Sequence, residues 1–172
     1  MASFDSGMIE VCDWIRRRFP IESKILDVGA CDGKWSDWLR DYPHMDAVEI
    51  FAPYVEEHKL EEKYENVFVS DVEGLKYEYY DLVIFGDVIE HMSVEKAQKV
   101  LEYAKSHCED MIVAVPYLYP QGPYNNNEYE RHIQDDLDEK TFDERYPGFE
   151  ILSHPEWNYA YYHYVGNEQD DK

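Results

Sequence analysis

Short apolar runs alternate along the chain with longer stretches of helical periodicity. Met8, Ile9, Val11, Cys12 and Ile15 recur at near-helical spacing, which predicts a helix over residues 4–19 that Pro20 stops. Ile25-Leu26-Asp27-Val28 then reads as a buried strand that enters a small-residue turn, and residues 34–42 read as a helix. Residues 45–50 and 66–70 form two further apolar runs, separated by a predicted helix over 52–63 with Pro53 in its first turn, where a missing N–H costs nothing. Residues 80–85 make the next strand. Ser93 is placed to cap a helix over 94–107, and the β-branched run 111–115 ends at Pro116. From 116 to 136 the periodicity dissolves into Tyr, Pro, Gly and Asn; a stretch of this length without a pattern in a compact domain is a candidate active-site loop. A helix over 137–146 and two strands over 148–154 and 157–165, joined around Pro155, complete the pattern.

Strand and helix in alternation, followed by two adjacent strands, predict an α/β chain. Its sheet is mostly parallel and seven-stranded, with an antiparallel C-terminal hairpin and helices on both faces. A single domain over residues 1–172 fits the length, with residues 1–20 as an N-terminal helix and residues 166–172 as a flexible acidic tail.

The turn after the first strand carries the first chemical signal. Gly29 and Gly33 have no Cβ, so the backbone there can turn sharply and approach a ligand, and the start of the next helix offers N–H groups. A dinucleotide fingerprint would place glycine where Asp27 stands, and further acids follow at Asp32 and Asp37. Carboxylates in this place repel a pyrophosphate and suit a ligand that carries an ammonium and a sulfonium. About twenty residues on, the second strand ends in Glu49, where a carboxylate accepts both hydroxyls of a ribose. The third strand runs into Asp71-Val72, and the fourth into Gly86-Asp87-Val88-Ile89-Glu90-His91.

The stretch Asp27-Val28-Gly29-Ala30-Cys31-Asp32-Gly33 resembles the first motif of class I S-adenosylmethionine-dependent methyltransferases, Asp/Glu-x-Gly-x-Gly-x-Gly, with Cys31 where that family has its middle glycine. Asp87-Val88-Ile89-Glu90-His91 resembles the fourth motif of the same family, and four motifs fall in the family's order across residues 25–92. The resemblance implies a Rossmann-like methyltransferase fold with S-adenosylmethionine as cofactor. It places Asp27, Gly29, Ala30, Cys31, Gly33 and Trp35 around the methionine, Glu49 and Ile50 at the ribose, Asp71 and Val72 at the adenine, and Gly86 and Asp87 at the fourth strand tip.

Charge and cysteine usage narrow the partners. A net charge of −22 repels a phosphate backbone, so duplex DNA is a poor substrate. Arg16-Arg17-Arg18 is the tightest basic cluster, and it reads as a solvated helix face among acids. No apolar run reaches the ~18 residues of a membrane span, and no secretory signal is expected. Cys12, Cys31 and Cys108 are odd in number and scattered, which fits a reducing cytoplasm.

Methyl transfer to a hydroxyl or amine needs the acceptor held in line and a proton removed. His91 at the fourth strand tip and His132 in the long loop are candidates for that base. In a second reading, Asp87, Glu90, His91 and His132 gather a divalent metal ion. This follows a resemblance to ubiquinone-pathway O-methyltransferases and small-RNA 2′-O-methyltransferases, which carry Glu-x-x-Glu-His after the fourth strand; here Asp87 replaces the first Glu. In a third, Glu90 and His91 cap the following helix and support the cofactor pocket. Tyr117, Tyr119, Tyr124 and Tyr129 crowd the long loop as an aromatic wall for an acceptor. Asn/Asp-Pro-Pro-Tyr, the amino-methyltransferase signature, is missing after the fourth strand, which favours oxygen acceptors. The expectation is an S-adenosylmethionine-dependent methyltransferase acting on a hydroxyl of a small molecule or carbohydrate. A non-catalytic or partner-dependent S-adenosylmethionine-binding subunit and an RNA 2′-O-methyltransferase are the alternatives.

Overall fold

The computed structural model describes residues 7–156 and 158–165. Seven strands form one sheet: β1 (Ile25–Val28), β2 (Met45–Glu49), β3 (Asn66–Val69), β4 (Tyr80–Gly86), β5 (Cys108–Pro116), β6 (Glu150–Glu156) and β7 (Tyr159–Val165). Their order is β3-β2-β1-β4-β5-β7-β6. The first five are parallel, and β7 runs antiparallel between β5 and β6. Ile25 lies opposite Met45 on one side and Leu82 on the other, so β1 is an interior strand and reads as a continuous buried run.

Helices cover both faces. On one face lie α1 (Met8–Arg18), α2 (Lys34–Trp38) and α4 (Leu60–Lys63), with Met8, Val11, Cys12, Ile15, Trp35 and Leu60 packed into one core cluster. On the other, α5 (Val94–Lys105) and α6 (Glu139–Arg145) bury Ala97, Val100, Leu101, Ala104 and Phe142 in a second. A sixth helix, α3 (Ala52–Glu57), follows β2. Phe142 stacks on Tyr162 of β7, centroids 3.6 Å apart. Because β7 is an interior strand, Tyr159, Tyr161 and Tyr162 are all fully buried, and the crowded aromatics serve both faces of the sheet.

Boundaries shift where a local contact overrides the periodicity. The helix expected over 34–42 stops at Trp38, because Arg16 on α1 donates to the Trp38 carbonyl at 2.7 Å and also pairs with Asp41. Arg18 of the same basic cluster pairs with buried Asp110, so two of the three arginines pin α1 to the body of the fold. The helix expected over 52–63 is broken in two by Lys59, whose φ of 53° is left-handed. Pro155 lies inside edge strand β6, beside register shifts, rather than in the turn; an edge position tolerates its missing N–H. Ser93 caps α5 as expected, accepting from Lys96 N at 3.3 Å. The start of the first predicted helix, Trp157 and the acidic tail lie outside the described residues. Among the described residues no helix is long and apolar enough to cross a membrane.

Candidate active site

A cleft opens where the carboxyl ends of β1 and β4 diverge, the switch point at which an open α/β sheet binds its ligands. Its floor is the turn after β1. Gly29 has φ of 75°, and a Cβ there would collide with Val88, so the residue is glycine for conformation and for space. Cys31 also sits in the left-handed region, at φ 48°, which explains why glycine suits this position in the motif it resembles. Gly86 at the tip of β4 lies under the Trp35 indole, again with no room for a Cβ.

Glu49 ends β2 almost fully buried. Its Oε2 accepts from Cys31 N at 2.9 Å and its Oε1 from Phe51 N at 2.7 Å. Burial pushes its carboxyl above the ordinary value, and these two backbone donors oppose that push. Its carboxylate is therefore locked in orientation before any ligand arrives. Asp71, after β3, accepts from Lys96 Nζ at 2.5 Å and from Glu73 N at 3.0 Å. Burial works against ionisation there, but the ammonium and the N–H outweigh it and hold the carboxyl below its ordinary value.

The opposite wall is built from the segment after β4 and from the loop between β5 and α6 (residues 117–138), here called the strap. Glu90 is 0% exposed, and neither carboxylate oxygen has a hydrogen-bond partner. Burial, with Asp87 nearby, raises its carboxyl well above the ordinary range. His91 donates from Nδ1 to the Arg131 carbonyl at 3.2 Å, and His132 donates from Nδ1 to the Tyr119 carbonyl at 2.6 Å. A carbonyl only accepts, so both rings carry the proton on Nδ1 and present a bare Nε2. The rings meet edge to face, centroids 4.7 Å apart. Burial lowers both imidazoles, His91 to about 4, so both are neutral at pH 7. One ligating atom from each of Glu90, His91 and His132 lies within 4.8 Å of the others. Asp87 stands outside this trio. Its backbone is left-handed at φ 56°, and its carboxylate accepts from the buried Tyr159 hydroxyl at 2.9 Å.

Hydrogen bonds to distant elements shape the strap. Gln134, buried, donates to the carbonyls of Ile89 and Met92 at 2.8 and 3.0 Å and accepts from Tyr146 Oη at 2.7 Å. Gln121 donates to the Glu130 carbonyl at 2.7 Å, and Asn127 caps the short 3-10 turn Glu128–Glu130. Tyr54 on α3 donates to Glu130 Oε1 at 3.0 Å and closes the strap over the floor. Tyr119 and Tyr129 line the cleft. Tyr117 does not: it is buried beneath the strap and hydrogen-bonded to Tyr162. Tyr124 is also outside, half exposed in a bridge to Asn127.

No protein-family model and no curated protein matches the sequence. Solved structures do match in fold. DhpI in its S-adenosylhomocysteine complex superposes with a TM-score of 0.73 at 13% identity, over 95% of this chain and 86% of that one. An S-adenosylmethionine-dependent methyltransferase from Clostridium acetobutylicum gives 0.72 at 10% identity, over 96% and 93%. Magnesium protoporphyrin IX methyltransferase from Synechocystis, with bound S-adenosylmethionine, gives 0.67 at 18% identity, over 93% and 78%. The fold is that of the class I S-adenosylmethionine-dependent methyltransferases.

Within this methyltransferase fold, Ala30, Cys31, Trp35, Glu49, Ile50, Asp71, Val72, Gly86 and Asp87 line the cleft together with Gly29, Glu90, His91 and His132. Asp27 and Gly33 do not. Asp27 points beneath the floor, fully buried, and accepts from Tyr64 Oη at 2.5 Å; burial pushes its carboxyl up to about 7 despite that bond. Gly33 turns the chain into α2 at φ 79° and packs against the Lys63 side chain. Residues that periodicity did not single out also line the cleft, among them Tyr54, Lys96, Gln121 and Glu130. The presence of a Gln or Glu in an irregular segment carries no signal of the contact it makes; only the Asn-rich stretch 125–127 announces a turn. The lining carries acids at Asp32, Glu49, Asp71, Asp87 and Glu130 against ammonium groups at Lys34 and Lys96, so the cleft favours cationic ligands.

Proposed function

We propose that the protein is an S-adenosylmethionine-dependent methyltransferase that methylates a hydroxyl of a small molecule or carbohydrate. The observation that carries this reading is that Glu49, fixed by two backbone N–H groups, faces the same acid-lined cleft as the His91–His132 pair. Bound there, the cofactor supplies an electrophilic methyl group on a good leaving group. Glu49 accepts the two ribose hydroxyls, Asp71 receives the adenine amino group, and the turn Gly29–Cys31 makes room for the methionine end. Tyr119 and Tyr129 flank the acceptor, and a bare imidazole Nε2 takes its hydroxyl proton. Magnesium protoporphyrin IX methyltransferase, similar in fold, acts by its name on a small molecule, in keeping with this acceptor class.

A divalent ion fits the same wall. Glu90 offers two buried oxygens without partners, and His91 and His132 offer lone pairs whose rings are already oriented through Nδ1. Glu90, His91 and His132 would hold the ion, which would lower the pKa of an acceptor hydroxyl. We infer a cytoplasmic protein, in keeping with its three unpaired cysteines.

Calorimetry with S-adenosylmethionine and S-adenosylhomocysteine tests the cofactor, and release of the latter across a panel of alcohols, catechols and sugars tests the acceptor. Binding of neither ligand sinks the reading. A chelator should abolish turnover, and Mg2+ or Mn2+ should restore it, if the trio holds an ion; indifference leaves the imidazoles as a metal-free base. Turnover of oligonucleotides with a steep loss in salt would move the acceptor to RNA.

A further inference from the structure

Glu130 has no role in the transfer as described, yet its position in the cleft is fixed from two sides. Its carboxylate accepts from Tyr54, which stands on α3 directly after Glu49 and β2. The next residue along the strap, Arg131, accepts from His91 through its carbonyl. Gln121 holds the Glu130 carbonyl, and buried Asn127 caps the turn that carries it. The carboxylate thus lies between the wall that ends in Glu49 and the wall that bears the imidazoles. Its charge reaches the floor: the Cys31 thiol is pushed up to about 12, first by burial and next by Glu130.

In any methyl transfer the sulfur lies one carbon from the ribose and in line with the acceptor. With the ribose at Glu49 and the acceptor at His91 and His132, the sulfur must occupy the interval that Glu130 faces. Resting on the function proposed above, we propose that Glu130 is a further cofactor-binding residue, a carboxylate that faces the sulfonium and favours the charged donor over its neutral-sulfur product. The consequence is selective: loss of the positive charge on transfer weakens the product's hold and eases its release.

The ratio of the two affinities, read by calorimetry on the full chain, tests this directly. Glu130→Gln keeps an oxygen for Tyr54 and removes the charge. Its affinity for S-adenosylmethionine should fall about tenfold, equal to about 1.4 kcal/mol, while that for S-adenosylhomocysteine stays within about twofold. Tyr54→Phe loosens the strap without removing the charge, so the ratio of the two affinities should not change. An equal loss of both ligands in Glu130→Gln, or no loss of either, overturns the proposal, as does a Tyr54→Phe variant that shifts the ratio equally. Glu130→Ser reads the same ratio should the glutamine variant fail to fold. Failure of the unaltered protein to bind either ligand is a different result, and it removes the methyltransferase reading itself.

Discussion

The floor and the strap of the cleft are made by different physics. The floor runs through the tips of β1, β2 and β4, and its residues are placed by local backbone geometry: two left-handed turn positions, a glycine under an indole, a carboxylate on two N–H groups two and eighteen residues away. The strap has little regular structure of its own. It is placed by side chains that reach backbone groups about forty residues distant, such as Gln134 on Ile89 and Met92. Short-range geometry can be encoded in a motif. Long-range anchoring cannot, because each end looks like an ordinary polar residue until the chain is folded.

Removing one anchor should separate the two regions most sharply. Gln134→Leu deletes two donated bonds to buried carbonyls and two accepted ones, from Tyr146 and Arg145. Leaving those partners unpaired should lower stability by about 4 kcal/mol, measured by urea unfolding. Turnover should fall, because Ile133 and Gln134 donate through their backbones to the Glu90 carbonyl and so carry His132 to the trio. Affinity for S-adenosylhomocysteine, set by the floor, should be retained. If affinity and turnover fall together, floor and strap are one unit and the distinction is lost.

The next effect lies beneath the floor. Asp27 is raised from 3.8 to about 7, chiefly by burial, against the hydrogen bond from Tyr64. Below pH ~4 the carboxyl is protonated whether the chain is folded or unfolded. Between about 4 and about 7 the unfolded chain releases its proton while the fold retains one. Stability therefore declines as pH rises through that window, and the loss is complete above it. Asp27→Asn keeps an acceptor for Tyr64 and should abolish this decline, making the variant more stable than the wild type by about 4 kcal/mol at pH 8. Thermal unfolding between pH 4 and 8 would show it. Cofactor affinity should not change, since the side chain does not line the cleft; a large change would return Asp27 to the binding residues.

How much was legible follows the same division. Strands β1 to β5, the cap at Ser93 and the residues of the floor could be read because apolar runs and small-residue turns carry their own geometry. The exchange of β7 into the interior could not, since aromatic residues favour any strand and only pairing with β5 shows that both faces are covered. The break at Lys59 had no signal, because a left-handed lysine looks like any other helix former. Tyr117 and Tyr119 are equivalent in sequence, two residues apart in one loop, yet one pairs with Tyr162 in the core and the other lines the cleft. Asp27 was legible as part of a motif in a buried strand but not as a side chain outside the cleft, since a strand residue's face is fixed only by its neighbours in the sheet.

The smallest expected effect concerns the position at which the floor departs from the motif it resembles. A non-glycine residue in the left-handed region costs roughly 1–2 kcal/mol, and a glycine there costs about 0.5–1 kcal/mol in unfolded-chain entropy. Cys31→Gly should therefore gain about 0.5 kcal/mol in stability. Cys31→Val, branched at Cβ and poorly suited to φ 48°, should lose about 2 kcal/mol. In neither variant does the backbone N–H that Glu49 accepts change chemically, so affinity for S-adenosylmethionine should follow only how well the turn is held. The glycine variant should bind as the wild type does, and the valine variant more weakly. Equal stability of all three proteins would mean that the turn is not strained, and that cysteine stands there for its side chain rather than in spite of it.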